Sequence, residues 1–147
     1  MLSSLEQVIS TILFASEKLE EEMKQASNLK GLTSRQLYCL ELIKRLENPS
    51  ITELAKNMDI AKASMSVMVD RLEKNGYVLK VSSDSDRRSA HIHLTESGEK
   101  AAALHIDLHK HISGLLTQNM TDSEKQILLV LLSKSINFLP SLSNNVR

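Results

Sequence analysis

The sequence predicts a mainly α protein with a small β-wing, a winged helix-turn-helix. Three observations predict it. Residues 51–94 read as a short helix, a tight turn, a second helix and two strands around a charged loop. Apolar residues elsewhere recur at helical spacing. The composition is poor in breakers and aromatics, with 4 Gly, 2 Pro and 3% aromatic residues in 147, a balance that suits helices joined by few turns. That length is enough for one domain with a real core.

Charge is balanced, with Lys+Arg and Asp+Glu both 18, so net charge alone gives no support to a nucleic-acid role. Its distribution says more. Residues 1–25 carry Glu6, Glu17, Glu20, Glu21 and Glu22 against Lys18 and Lys24. Residues 62–88 carry Lys62, Arg71, Lys74, Lys80, Arg87 and Arg88 against Asp70, Glu73, Asp84 and Asp86. A mildly basic motif behind an acidic arm fits a protein that meets phosphate on one face. Ordinary solvated helix faces are the alternative. The single cysteine, Cys39, excludes an intrachain disulfide. No apolar run approaches the ~20 residues a membrane span needs. The acidic start lacks the basic region of a signal peptide, so a cytoplasmic location is expected.

In chain order, Leu5, Val8, Ile9, Ile12, Leu13, Leu19 and Met23 follow helical spacing. They predict a first helix of about six turns, ending near Asn28 or Gly31. Its length implies that part of the apolar face needs a partner. Thr33-Ser-Arg-Gln36 is a capping box. It opens a helix to about Asn48, with Leu37, Leu40, Ile43 and Leu46 inward and Cys39 as a small buried hydrophobe.

Ser50-Ile-Thr-Glu53 is a second capping box and starts the motif. Its free N–H groups, with the Ser50 and Thr52 hydroxyls, are candidates to hold a DNA phosphate. In the following helix, residues 61–75, Met65, Met68, Val69 and Leu72 form one buried face. At about 100° per residue the opposite face carries Ala63, Val67 and Asp70, flanked by Ser64 and Ser66, with Lys62 at the start. Short and hydroxylated side chains allow close approach to base edges, and Val67 can touch a thymine methyl. With no Arg, Asn or Gln on that face, specificity is expected to lean on DNA shape and on the wing. Arg71 completes the candidate DNA-binding residues of this helix.

Gly76 ends the helix. Residues 77–82 and 90–94 are expected to pair around Ser83-Asp-Ser-Asp-Arg-Arg-Ser89, with His91 and His93 facing out. Asp86 lies close enough to hold Arg88 in a fixed pose, which suits a narrow A·T minor groove. Thr95 opens a long helix to about Met120, with Ala101, Ala102, Leu104, Leu108, Ile112, Leu115 and Leu116 inward. His105 and His109 share a face at metal-ligand spacing. Two ligands are not a site, so a pair of partly buried structural histidines is preferred and no metal is assigned. Thr121-Asp-Ser-Glu124 is a third capping box. The apolar run 127–132 makes a helix that must be covered on both faces. Leu5, Val8, Ile12, Ile127, Leu128, Leu131, Leu132 and Phe138 are the candidate dimer residues, and a two-fold homodimer is the simplest closure. Residues 141–147 read as a polar tail.

Leu72-Glu-Lys-Asn-Gly76-Tyr77, Asp84-Ser-Asp86-Arg87-Arg88 and Leu94-Thr95-Glu-Ser-Gly98 occur in that order. Together they resemble the multiple-antibiotic-resistance-regulator (MarR) family of bacterial transcription factors, over nearly the whole chain. The resemblance implies a dimer joined by its terminal helices, residues 1–32 and 99–147, around winged helix-turn-helix lobes of residues 33–98. It implies a palindromic operator on double-stranded DNA and a small-molecule effector. It places Lys62, Ser64, Ser66 and Val67 on the groove-facing positions and Arg88 as the wing arginine braced by Asp86, with Arg87 on phosphate. His105 and His109 match helix histidines of zinc-responsive members, but Tyr38 stands where those carry a further histidine. Cys39 does not match the reactive cysteine of the family's peroxide sensors. The expected function is a ligand-responsive, DNA-binding repressor. The rivals are a zinc-responsive repressor using His105 and His109, and a winged-helix module that binds protein. No nucleophile–base set, phosphate loop or complete metal motif suggests an enzyme.

Overall fold

A computed structural model describes residues 4–29, 31–82 and 90–136. The wing tip with Asp86, Arg87 and Arg88, and the C-terminal stretch with Phe138 and the tail, lie outside the described residues. The elements are α1 (Leu5–Ala26), α2 (Ser34–Leu46), α3 (Ile51–Asn57), α4 (Lys62–Lys74), β1 (Val78–Ser82), β2 (Ala90–Leu94), α5 (Glu96–Thr117) and α6 (Asp122–Ile136). This is the mainly helical chain with a two-stranded wing that the sequence predicts. It separates into two compact units, Met1–Lys110 and His111–Arg147.

The first unit is built around α2. Its capping box is complete: Gln36 N–H donates to Thr33 Oγ1 at 3.2 Å, and Thr33 N–H donates to Gln36 Oε1 at 2.9 Å. Leu37, Leu40 and Ile43 are buried as expected, and so are Cys39 and Leu42, so α2 is covered on more than one side. Leu54 of α3, Met65, Val69 and Leu72 of α4, Val78, Ile92, Ala101 and Ala102 complete this core. Each fully buried leucine contributes about 1.5–3 kcal/mol of apolar transfer. Two expectations for α2 are corrected. The helix stops at Leu46 because Glu47 and Asn48 turn left-handed, with φ of 54° and 66°. Leu46, beside that turn, is 36% exposed rather than inward.

Helix α1 is capped by Ser4, whose Oγ accepts from Gln7 N–H at 3.3 Å. Lys24 anchors its far end by donating to the Leu32 carbonyl at 3.2 Å. None of its residues is buried. Leu5, Ile9, Leu13 and Phe14 are exposed, which leaves much of an amphipathic face without cover among the described residues.

The antiparallel β1–β2 register runs from Val78 opposite Leu94 to Ser82 opposite Ala90. Its base is locked by the Leu94-to-Gly98 motif. Thr95 N–H donates to the Tyr77 carbonyl at 3.0 Å, and Thr95 Oγ1 donates to the Gly76 carbonyl at 2.6 Å. The same hydroxyl accepts from Gly98 N–H at 3.1 Å. Gly76 takes φ 80°, the left-handed conformation expected of a glycine ending α4. Gly98 is required for a different reason: a Cβ there would collide with the Tyr77 carbonyl oxygen. His91 and His93 are half-buried rather than fully outward. His91 Nδ1 hydrogen-bonds the Asn48 carbonyl at 3.0 Å, and Ile92 N–H donates to Pro49 O at 2.8 Å. The wing is thereby tied to the start of α3.

The second unit holds the end of α5 and all of α6. The third capping box forms, with Glu124 N–H on Thr121 Oγ1 at 3.3 Å and Thr121 N–H on Glu124 Oε2 at 2.7 Å. Helix α5 ends at Thr117, before the expected Met120, and Leu115 and Leu116 are exposed rather than inward. On α6, Ile127, Leu129, Val130, Leu131, Leu132 and Ile136 are exposed. Among the described residues no helix is long and apolar enough to cross a membrane.

Candidate nucleic-acid interface

Helix α3, a turn and helix α4 form the helix-turn-helix. The turn uses Asp59 at φ 50°, and Ile60 N–H closes it on the Ala55 carbonyl at 3.1 Å. Met65, Val69 and Leu72 anchor α4 in the core, with Met68 half-buried beside them. The far side is therefore presented outward. Lys62, Ala63, Ser64, Val67 and Arg71 are all exposed, Val67 at 50%, and Ser66 is half-buried. Small side chains on a firmly seated helix let its backbone come close to a partner surface.

The start of α3 forms the capping box that its sequence spells. Thr52 is exposed, but Ser50 is half-buried and caps the helix, accepting from Glu53 N–H at 3.2 Å. Glu53 returns its carboxylate to Ser50 N–H at 2.7 Å. The bond from the Ser50 backbone holds that carboxyl below the usual carboxylate range. The box engages the N–H groups of Ser50 and Glu53.

Lys80, one of the bases of residues 62–88, is committed to carboxylates. Its ammonium pairs with Asp70 and lies 3.4 Å from Glu73 Oε2. The Asp70 hydrogen bond, with the nearby carboxylates, holds the Lys80 pKa above its ordinary value. A cleft of about 320 Å³ opens on the other flank of α4, where Arg71, Ser64 and Val67 meet Arg35 and Gln36 of α2. Sequence reading missed Arg35 because only tertiary packing brings α2 beside α4.

A second cluster lies between helices α1, α2 and α5. His105, a residue of the inward face of α5, is 2% exposed. Its Nδ1 contacts Glu41 Oε2 at 2.8 Å and its Nε2 lies 3.5 Å from Glu20 Oε2. His109 Nδ1 is 3.4 Å from the same Glu41 oxygen. The two imidazoles meet edge to face, with centroids 4.2 Å apart. Glu41, His105 and His109 thus offer three ligand atoms within 4.8 Å of one another. A tetrahedral zinc ion, with Zn–N and Zn–O of about 2.0–2.2 Å, sets ligand separations of roughly 3.4 Å, so the donor set fits one. Glu41 is the ligand the sequence did not reveal. Cys39, in contrast, is fully buried, and burial pushes its thiol up to about 12. That is the reverse of a reactive cysteine.

The MarR family model matches residues 32–90, from the start of α2 to the wing. The transcriptional repressor MprA of Escherichia coli (strain K12) is 32% identical over 124 residues, which cover 80% of this chain and 70% of MprA. This chain belongs to the MarR family. Among other MarR-type relatives, the HTH-type transcriptional repressor MdtR of Bacillus subtilis is 26% identical over 67% of this chain and 66% of its own length. The MarR fold is matched in the crystal structure of Streptococcus pneumoniae FabT in complex with DNA. The TM-score is 0.84 at 22% identity, covering 94% of this chain and 96% of that one.

Proposed function

We propose that this chain is a dimeric, ligand-responsive transcriptional repressor that binds a palindromic operator on double-stranded DNA and is not an enzyme. The observation that carries the reading is the outward side of α4: an exposed, short-chained surface of Lys62, Ala63, Ser64, Val67 and Arg71 on a helix fixed by Met65, Val69 and Leu72. Such a helix enters a major groove. Relatives named as repressors and a fold neighbour crystallised with DNA support it.

The dimer rests on the uncovered apolar residues of α1 and α6. Leu5 is 71% exposed, Ile127 60%, and Leu131 and Leu132 both 56%. Val8 is exposed too, and Ile12 and Leu128 are half-buried. Residues 1–32 and 99–147 serve as the dimerisation region and residues 33–98 as the DNA-binding lobe. Two recognition helices then sit about one turn of DNA apart, roughly 34 Å. An effector that favours a mismatched spacing by a few kcal/mol releases the operator. The wing contributes Arg87 to phosphate and Arg88, braced by Asp86, to the minor groove. Selection of bound fragments from a random duplex pool, at near-physiological salt, is expected to recover an inverted repeat. Recovery of no preferred sequence would refute sequence-specific binding and favour a protein-interaction module.

Zinc is a second reading of the effector, favoured by the convergence of Glu41, His105 and His109. Equilibrium dialysis against zinc is expected to show one ion per chain in the parent and none in His105→Ala. Equal stoichiometry in both would remove this cluster from any metal site and leave an organic effector.

A further inference from the structure

Helix α4 divides its charge unequally between its two flanks. On one flank Asp70 and Glu73 converge on Lys80 of β1. Lys80 N–H donates to Glu73 Oε1 at 3.2 Å as well. One ammonium between two carboxylates leaves Lys80 itself with no net positive charge to offer on that flank. The other flank carries Arg71. Among the described residues no carboxylate pairs with Arg71, and none pairs with Arg35 of α2. Both arginines are exposed, and both line the same cleft of about 320 Å³, with Ser64, Gln36 and Val67. The fold has placed two guanidiniums, neither paired with a carboxylate among the described residues, in one cleft beside the recognition helix. Their mutual repulsion is relieved when an anion enters.

We propose that this cleft seats a DNA backbone phosphate, and that Arg35 is a DNA contact supplied by α2, outside the helix-turn-helix. The proposal rests on α4 being the recognition helix. A helix with its side chains is about 10–12 Å across, and the major groove is about 12 Å wide. Side chains at the helix flanks therefore meet the walls of the groove, which are sugar-phosphate strands. At about 100° per residue, Ser64 and Arg71 fall on the flank between the buried face and outward Val67. Arg35 extends that flank beyond the helix. A guanidinium presents a planar fork of donors matched to phosphate oxygens, and the Ser64 hydroxyl adds a donor alongside. On the opposite flank the Lys80 ammonium is already held by Asp70 and Glu73. The cleft mixes polar Thr33, Gln36 and Ser64 with apolar Ile60, Val67 and Met68, and its arginines are exposed, unlike the enclosed, mostly apolar pockets that hold organic ligands.

The test is duplex binding by fluorescence anisotropy across a salt series, on several random-sequence duplexes. The proteins are the parent, Arg35→Ala and Arg35→Lys, each first checked for parental thermal stability and mass in solution. A phosphate contact is sequence-independent. Arg35→Ala should weaken binding by a similar factor on every duplex, and the log–log salt slope should become shallower by about 0.9 for each lobe engaged. Arg35→Lys should keep most of the slope. If the parent binds with a steep salt slope and Arg35→Ala matches it, the phosphate seat is wrong while the recognition helix stands. A changed base preference at unchanged slope would make Arg35 a base contact and overturn the proposal. So would loss of hexanoate binding in Arg35→Ala at an unchanged slope, which would give the cleft to an organic anion. A parent that binds no duplex overturns the DNA reading itself, and this inference with it.

Discussion

Replacing Gly98 with alanine is expected to destabilise the protein, although a glycine-to-alanine change inside a helix ordinarily stabilises by up to about 1 kcal/mol. The structure decides the sign. The new Cβ would run into the Tyr77 carbonyl oxygen, with the Tyr77 carbonyl carbon at 3.1 Å and Leu94 Cδ2 at 3.2 Å. The first two are backbone atoms, so no rotamer change relieves the clash. Either the start of α5 or the base of the wing must move. Overpacking of this kind costs about 1–3 kcal/mol. The same movement strains the bonds from Thr95 to the carbonyls of Gly76 and Tyr77, each worth roughly 1 kcal/mol. Set against the propensity gain, a net loss of about 2 kcal/mol follows. Urea denaturation at fixed protein concentration reads it, since dimerisation would make the midpoint concentration-dependent. An equal or higher midpoint for Gly98→Ala would refute the close-approach argument. Because the shift displaces the wing, DNA affinity should fall further than the loss of folded protein explains.

Three further outcomes are expected. Cys39, with its thiol pushed up to about 12 by burial, should resist a thiol-specific reagent at pH 8 in the native protein and react fully in denaturant; rapid native reaction would place it at the surface. The carboxyls of Glu53 and Glu124 are held low chiefly by backbone bonds from Ser50 and Thr121. A depressed folded pKa gives stability that is present above the ordinary value of 4.5 and is lost as pH falls through the folded value. Acid titration should therefore loosen the starts of α3 and α6 below about pH 4.5, read by amide exchange, and Glu53→Gln should remove that dependence at α3. Finally, Leu131→Glu on exposed α6 should shift the sedimentation mass from dimer towards monomer while leaving helicity nearly unchanged; an unaltered dimer would take α6 out of the interface.

Local patterns were legible in the sequence because the interactions behind them span three or four residues. The three capping boxes formed with the partners that their spacing names, and Gly76 took its left-handed turn. The buried stripe of α4 followed from helical periodicity alone, and so did most of the α2 core. Periodicity failed at helix ends. Leu46, Leu115 and Leu116 fit the spacing of an inward face but are exposed among the described residues.

The sequence by itself determined the element order, the helix starts, the apolar face of the recognition helix and the excess of apolar surface on α1 and α6. Tertiary structure alone decided which charges remain available. Glu41 and His105 are 64 positions apart and meet only because α2 and α5 pack together. Lys80 is withdrawn by Asp70, ten residues away on another element, while Arg35 reaches Arg71's cleft across the α2–α4 contact. Helix formation depends on neighbours in sequence, whereas the partnering of a charge depends on neighbours in space.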